Sequence, residues 1–191
     1  MSPEQYVKEG DRLKKTGNFD GAVASYEKAL STQPEDAIVL DKIAEIYYIK
    51  GKLPEAIALC HQAVRNQPYF ARAYKTLGNA LQAQNKLQEA TRAYSVAIQI
   101  DANFVEALVN LGSMFYKQGL IDDAMVTYRK AIALKPDLAP AYWNLSKLLQ
   151  QQGRLEEAYA FEQKAIELQP ELKNMASKTP QDSPFPKWDA E

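Results

Sequence analysis

The chain has 191 residues, 46% of them hydrophobic, with 23 Lys and Arg against 24 Asp and Glu. This size favours one domain with a sizeable core, and the balanced charge argues against a nucleic-acid or membrane surface. One cysteine, Cys60, excludes a disulfide framework. No apolar run reaches the roughly 18 residues of a membrane-spanning helix. The polar start lacks a signal-peptide core, so we expect a cytoplasmic protein.

The first predicted repeat covers residues 3–36 and consists of two helices. Ser2, Pro3 and Glu4 are typical of a helix start: a capping residue, proline at the first position and an acid in the first turn. Gly17 supplies a residue that tolerates the left-handed conformation of a tight turn. Pro34 ends the second helix because proline cannot continue one. The pattern therefore predicts two antiparallel helices joined by a tight turn.

The same repeat occurs four more times, at residues 37–70, 71–104, 105–138 and 139–172. Small residues recur on both helices where neighbouring helices must approach closely, and the closing proline is replaced once, by Ala102. Units of this kind cannot bury their apolar faces alone, so stacking must build a continuous core. The turn residues are Gly17, Gly51, Asn85, Gly119 and Gly153, and the small residues of the second helices are Ala22, Ala56, Ala90, Ala124 and Ala158 with Ala29, Ala63, Ala97, Ala131 and Ala165.

This pattern resembles the tetratricopeptide repeat family. The resemblance implies an all-α, right-handed superhelical solenoid of five helix-turn-helix repeats in residues 1–170, whose first helices line a concave face. Residues 171–191 are predicted to form a proline-containing tail, in which Phe185 and Trp188 would fold back on the last repeat or dock in a neighbour's groove. The residues that carry the resemblance are Tyr74, Leu77, Gly78, Ala90, Tyr94 and Ala97, and Leu108, Leu111, Gly112, Ala124, Tyr128 and Pro136.

Two residues depart from the pattern at a position where the other second helices have tyrosine. Cys60 is interpreted as a small core residue. Glu162 suggests that nothing large packs on the last second helix, so that the array ends there.

No residue constellation in the sequence indicates catalysis, a cofactor or a metal. One histidine, His61, and one cysteine cannot supply a typical zinc site. The glycines mark turns and helix crossings, so they form no phosphate-binding loop. We therefore expect a non-catalytic protein.

The resemblance places the candidate binding residues on the first helices. Family positions 2, 5, 6, 9, 12 and 13 face the groove, which includes Asp41, Glu45 and Thr76 here. Polar groups at its centre can donate hydrogen bonds to a carboxylate or a peptide backbone, and nearby aromatic residues suit an interface. The predicted peptide-binding residues are Arg72, Lys75, Asn79, Asn110, Tyr116, Trp143 and Asn144.

Two uses of the fold are partly matched, and both imply an extended peptide in the groove. Lys75, Asn79 and Asn110 match three slots of the carboxylate clamp of co-chaperone repeats, whereas Pro140 and Asn144 occupy its last two. Asn110 and Asn144 also match the asparagine ladder of O-GlcNAc transferase repeats.

The expected partner is accordingly a protein or peptide, with no nucleic acid and no membrane insertion. The alternatives are a structural assembly scaffold that self-associates through its ends or tail, and the substrate-selecting region of a larger transferase.

Overall fold

The computed structural model describes residues 1–175, so the docking predicted for Phe185 and Trp188 lies outside the described residues. In this part of the chain the backbone forms ten α-helices, one short 3₁₀ helix and no strand, which confirms the all-α fold class. The helices are α1 (Pro3–Lys15), α2 (Phe19–Leu30), α3 (Ala37–Ile49), α4 (Leu53–Asn66), α5 (Ala71–Ala83), α6 (Leu87–Ile100), α7 (Val105–Lys117), α8 (Ile121–Leu134), α9 (Ala139–Gln151) and α10 (Leu155–Leu168), and the 3₁₀ helix is Pro170–Asn174.

The chain divides into two compact units, Met1–Met114 and Phe115–Glu191. In the first unit α1 packs on α2, α3 on α4 and α5 on α6, and α2 and α4 each pack on the first helix of the following pair. In the second unit α9 packs on α10, α8 packs on α9, and the 3₁₀ helix contacts α10. The helices paired in this way cover their apolar faces with sequence neighbours, as stacked hairpins require.

Each first helix ends in the same turn, which explains the recurring glycine. At the end of α5 the N–H of Asn85 donates to the carbonyl of Gln82, and the N–H of Lys86 donates to that of Leu81. These are the two hydrogen bonds of a Schellman motif, which requires a left-handed residue. Asn85 has φ 61°, and the other four turns have glycine with φ between 73° and 78°. The turns predicted from the Gly and Asn spacing are confirmed.

The missing proline at Ala102 does not change how the second helix ends. Asp101 closes α6 with φ −131° and ψ 98°, nearly the conformation of Lys135, which precedes Pro136 and closes α8. The Asp101 carboxylate accepts a hydrogen bond of 3.0 Å from the N–H of Asn103. Because an Asp side chain that bonds two residues ahead forms a turn by itself, this residue replaces the constraint that proline imposes elsewhere.

The two helices of a repeat share one small space, which a residue from each helix fills together. A Cβ atom added to Gly78 would lie 2.5 Å from a ring carbon of Tyr94, and one added to Gly10 would lie 2.4 Å from the ring of Tyr26. Both tyrosines are fully buried. Large side chains thus fit only because the facing residue has none.

Repeat two fills this space with two small residues, because Ala44 replaces the glycine and Cys60 the tyrosine. Both are fully buried, so the interpretation of Cys60 as a small core residue is confirmed. Burial raises the pKa of the Cys60 thiol. The recurring alanines of the second helices are buried in all five repeats, with exposures of 0 to 2%.

Glu162 is buried, so its carboxylate does not mark an open face of the last second helix. Its side chain is not solvated on an open helix face, because the residue is only 3% exposed. Its Oε1 lies 3.1 Å from Nζ of Lys147, which comes from the first helix of the same repeat. The ammonium group neutralises a carboxylate at the position where other repeats have tyrosine, and this makes its burial tolerable.

We predict that Gly78→Ala lowers the free energy of unfolding by about 1–3 kcal/mol through overpacking against Tyr94. Without that contact the substitution would stabilise α5 by about 0.5–1 kcal/mol, because alanine is the better helix former. Urea unfolding followed by circular dichroism measures the difference.

The double variant Gly78→Ala/Tyr94→Cys reproduces the Ala44–Cys60 pair of repeat two. We expect it to lose less stability than the two single variants together, because residues that share one space are coupled. Strictly additive effects would contradict the shared space.

Candidate functional site

The first unit has an open cleft between its first helices. Its volume is about 630 Å³, and charged side chains from α1, α3 and α5 supply most of its lining, together with two residues at the start of α7 and just before it. The lining consists of Asp11, Lys14, Lys15, Lys42, Glu45, Arg72, Lys75, Phe104 and Glu106. Because both acids and bases line the cleft, the pairing of these groups decides which of them a ligand can reach.

A chain of ion pairs links three of the first helices. Lys14 Nζ of α1 lies 2.6 Å from Glu45 Oε2 of α3, and the same oxygen lies 3.6 Å from Arg72 Nη2 of α5. Arg72 Nε lies 2.7 Å from Oδ2 of Asp41, which returns to α3. A separate pair joins Lys42 to Asp11 at 2.6 Å. Three of the cleft's cations are therefore committed to acids of this chain.

Asp41 is the buried member of this chain of pairs. Its carboxylate has an exposure of 0%, whereas the Arg72 side chain is 39% exposed. Neither oxygen accepts an aligned hydrogen bond from any described residue, so Arg72 contacts it as a charge. Burial raises the pKa of Asp41, and the charges of Arg72 and Lys75 oppose this rise only in part.

The paired acids nearer the solvent shift in the opposite direction. Burial raises the pKa of Asp11, but the hydrogen bonds from Lys42 and Tyr26 outweigh it, and the pKa lies below its ordinary value. Glu45 behaves likewise, since the hydrogen bond and charge of Lys14 outweigh its burial and lower the pKa. Both side chains therefore stay ionised at neutral pH.

An uncharged amide pair occupies the equivalent place further along the unit. Oδ1 of Asn79 accepts one hydrogen bond of 2.7 Å from the Tyr94 hydroxyl and another of 2.9 Å from Nδ2 of Asn110. The Tyr94 hydroxyl also lies 3.1 Å from Oε1 of Gln82. The Asn79 oxygen accepts both hydrogen bonds, and the Asn110 NH₂ group donates one of them. These contacts fix the orientation of the Asn79 and Asn110 amides.

The charged pair and the amide pair have the same geometry. Oδ1 of Asp11 accepts from the Tyr26 hydroxyl at 2.7 Å and from Nζ of Lys42 at 2.6 Å, just as Asn79 accepts from Tyr94 and Asn110. In both cases the donor from the following repeat is 31 residues further on. The tyrosine of one repeat and a side chain of the next thus meet at one residue of the first helix.

Four of the predicted binding residues lie in the first unit, as two groups. Arg72 and Lys75 line the cleft, and the half-buried Asn79 and Asn110 form the amide pair. Arg72 is held by Asp41 and Glu45, whereas the described residues provide Lys75 with no ion pair or hydrogen bond.

The other three predicted binding residues belong to the second unit. Tyr116 is 42% exposed, and Asn144 and Trp143 are half-buried. Nζ of Lys147 lies 4.4 Å from the centre of the Trp143 ring, within the range of a cation–π contact.

Two expected groove residues are buried, which corrects the prediction from family positions. Asp41 is fully buried and Thr76 is 1% exposed, and the Thr76 hydroxyl donates to the backbone carbonyl of Arg72. A helix face drawn from repeat positions cannot show that a following helix covers part of it. Opposite charges spaced 31 residues apart, as in Lys14 and Glu45, are the signal that could have revealed these pairs.

Within residues 1–175 no group of three or more His, Cys, Asp or Glu side chains could hold a metal ion. No helix in the same part of the chain is both long enough and apolar enough to cross a membrane.

Stacked helical hairpins with a polar cleft between their first helices define a helical-repeat interaction protein. Models described as tetratricopeptide repeat match residues 7–69 and 139–172, and one described as TPR repeat matches residues 78–119 and 112–153. The chain therefore belongs to the tetratricopeptide repeat family, whose fold is typically a non-catalytic interaction module.

Solved structures of similar fold include three informative neighbours. MamA is 29% identical, with 86% of this chain and 96% of that chain covered and a TM-score of 0.73. A thermophilic TPR protein of Thermus thermophilus, TTC0263, is 23% identical, with 91% and 95% covered and a TM-score of 0.76. YrrB, a TPR protein with an unusual peptide-binding site, is 23% identical, with 86% and 85% covered and a TM-score of 0.67. No curated protein matches this chain in sequence.

We predict that Asp11→Asn removes part of the acid sensitivity of this protein. Because folding depresses the pKa of Asp11, its carboxylate stabilises the folded state above the ordinary value of 3.8, and this contribution is lost as the pH falls through the folded-state pKa. Wild type should therefore exceed the variant in urea midpoint at about pH 7 and approach it at about pH 3.

Asp137→Asn serves as the control, since Asp137 is exposed in a turn. A difference between wild type and Asp11→Asn that stays constant over this pH range would contradict the assignment.

Proposed function

We propose that this protein binds an extended segment of a partner polypeptide along the first-helix surface of residues 1–114. The observation that carries the proposal is the hydrogen-bonded pair Asn79–Asn110 beside a cleft that contains Lys75. Each part supplies a different kind of contact: the amides would hold the peptide backbone, and the lysine would hold an acidic group.

The amide pair complements a peptide group. The oxygen of Asn79 is occupied by Tyr94 and Asn110, which leaves the Asn79 NH₂ group as donor and the Asn110 carbonyl as acceptor. A backbone peptide unit offers one acceptor and one donor in return. Because internal hydrogen bonds already fix both amides, little conformational entropy is lost when a ligand binds, and such preorganisation favours affinity.

Lys75 is the cleft cation best suited to an acidic group. Lys14, Lys42 and Arg72 each have an acidic partner. Lys15 is exposed to solvent, whereas Lys75 is half-buried and has no acidic partner among the described residues. A half-buried ammonium group in partly reduced dielectric attracts a carboxylate more strongly than a solvated surface lysine does. An acidic residue or a C-terminal carboxylate in the ligand is therefore the expected contact.

In the second unit, the residues proposed to contact a ligand are Tyr116, Trp143 and Asn144. Trp143 and Tyr116 offer large amphipathic surfaces of the kind enriched at binding hot spots, and the Lys147 ammonium lies over the Trp143 ring.

The comparisons support the general class of this function. Members of the tetratricopeptide repeat family bind proteins or peptides, and YrrB, a neighbour of the same fold, has a peptide-binding site. At 23% identity YrrB provides an analogy of fold, so the residue roles proposed for this chain depend on its own contacts.

Self-association through the ends or tail remains an alternative prediction, as does a role as the substrate-selecting part of a larger transferase. Light scattering over a range of concentrations separates the first alternative from peptide binding, because self-assembly raises the mass of the protein and binding of a short peptide does not.

The proposal is tested by binding to an array of immobilised peptides of varied sequence. We expect Asn110→Ala to weaken binding to all bound peptides by about tenfold, since one backbone contact and the partner of Asn79 are both lost. Lys75→Glu should abolish binding mainly of acidic peptides.

Two control variants make the result specific. Arg92→Glu changes the charge by the same amount on an exposed face of α6, in the same repeat as Lys75, and Asn103→Ala removes an exposed loop amide. Both should bind as wild type does. Equal binding by Asn110→Ala, Lys75→Glu and the controls would exclude this surface as the peptide site.

A further inference from the structure

We propose that Asp41 is a specificity-determining positioning residue, which holds Arg72 against the wall of the cleft and withdraws its charge from ligands. Acidic groups are then recognised by Lys75 and not by Arg72. The inference rests on the proposed peptide binding, but its structural part, the coupling of Asp41 to Arg72, can be tested without any ligand.

The geometry shows that Arg72 serves as the counter-ion of Asp41, which limits its use as a ligand-binding group. Nε of its guanidinium lies 2.7 Å from a carboxylate oxygen of Asp41 that is fully buried. An isolated buried carboxylate is very costly, and among the described residues this is its ion-pair partner. Moving Arg72 onto a ligand would therefore leave Asp41 uncompensated, and breaking a buried pair in this way is strongly unfavourable.

The rest of the guanidinium is directed to a second acid of the chain. Nη2 of Arg72 lies 3.6 Å from Oε2 of Glu45, and that oxygen also pairs with Lys14 at 2.6 Å. The series Lys14, Glu45, Arg72 and Asp41 contains two cations and two anions, so it is neutral as a whole. It links α1, α3 and α5 without adding net charge to the cleft.

Lys75 is a half-buried cation beside this neutral series, and the described residues provide it with no ion pair. It belongs to α5, three residues after Arg72, and it lines the same cleft. The charge of Lys75 also lowers the pKa of Asp41 and of Glu45, the two acids that Arg72 contacts. Whether Arg72 adds to the attraction for acidic ligands is consequently decided by Asp41.

The ligand-free test is a double-mutant cycle on the full chain, followed by urea unfolding and by hydrogen exchange of α3 and α5. Arg72→Gln should lower the urea midpoint and speed exchange, because it leaves the Asp41 carboxylate buried without a partner. Asp41→Asn should keep or raise the midpoint. In the Asp41→Asn background, the additional change Arg72→Gln should have little effect.

A spectroscopic signature accompanies the cycle. The Nε signal of Arg72 should report a restrained side chain in wild type and a more mobile one in Asp41→Asn, because the buried charge that holds the guanidinium is then removed. Equal losses from Arg72→Gln in both backgrounds, with an Arg72 Nε–H signal that Asp41→Asn leaves unchanged, would overturn the pairing.

The selectivity test compares two fluorescein-labelled, amidated peptides, one of alternating serine and glutamate and one of alternating serine and glutamine. Asp41→Asn frees one positive charge near the cleft, so we expect a gain of about threefold in affinity for the glutamate peptide and no gain for the glutamine peptide. The gain should disappear in Asp41→Asn/Arg72→Gln. An unchanged preference in Asp41→Asn would overturn the assignment of selectivity.

The two hypotheses fail in different ways. Failure of both peptides and of the peptide array to bind any variant, with a coupled unfolding cycle, would refute the proposed function and leave the Asp41–Arg72 pairing intact. If the peptides bind but the unfolding cycle is additive, the proposed function stands and the Asp41–Arg72 pairing is refuted.

Discussion

The shared space between the two helices of a repeat is the constraint on which the rest of the structure depends. Gly78 and Tyr94 fill it in repeat three and Gly10 and Tyr26 in repeat one, because a ring can enter only where the facing helix has no side chain. The ring is buried, but its hydroxyl reaches the polar side of the first helix, where it donates to Asn79 or Asp11. Packing of the ring in the core thereby fixes the position of the tyrosine hydroxyl at the surface proposed to bind the ligand.

One position of the first helix collects contacts from two directions, and its residue type determines the local chemistry. Asp11 accepts from the tyrosine of its own repeat and from Lys42 of the next, which gives a charged pair. Asn79 accepts from equivalent partners and gives an amide pair. The same scaffold therefore presents charged groups at one end of the first unit and neutral hydrogen-bonding groups further along. A peptide with an acidic group and an exposed backbone matches that sequence of surfaces.

Most of the charge in the cleft is neutralised internally. Pairs such as Lys14–Glu45 and Lys42–Asp11 tie successive first helices together, although partly exposed pairs of this kind contribute modestly to stability. Their larger consequence concerns recognition, because a committed cation attracts a ligand less than an uncommitted one. The effect is strongest at Arg72, because its partner Asp41 is buried and the loss of this pair would be strongly unfavourable.

The sequence by itself determined the all-α repeat fold, because its signals are local. A left-handed turn requires glycine or asparagine at positions such as Asn85, and a tight helix crossing requires a small residue such as Ala90, whatever lies elsewhere in the chain. It also indicated which helices carry the polar face. Only the tertiary structure decided the fate of Asp41, Thr76 and Glu162, because burial and ion pairing depend on which side chains of other helices reach them. The pairing of Asn79 with Asn110 and of Arg72 with Asp41 joins different repeats, and such long-range contacts leave little trace in a local pattern.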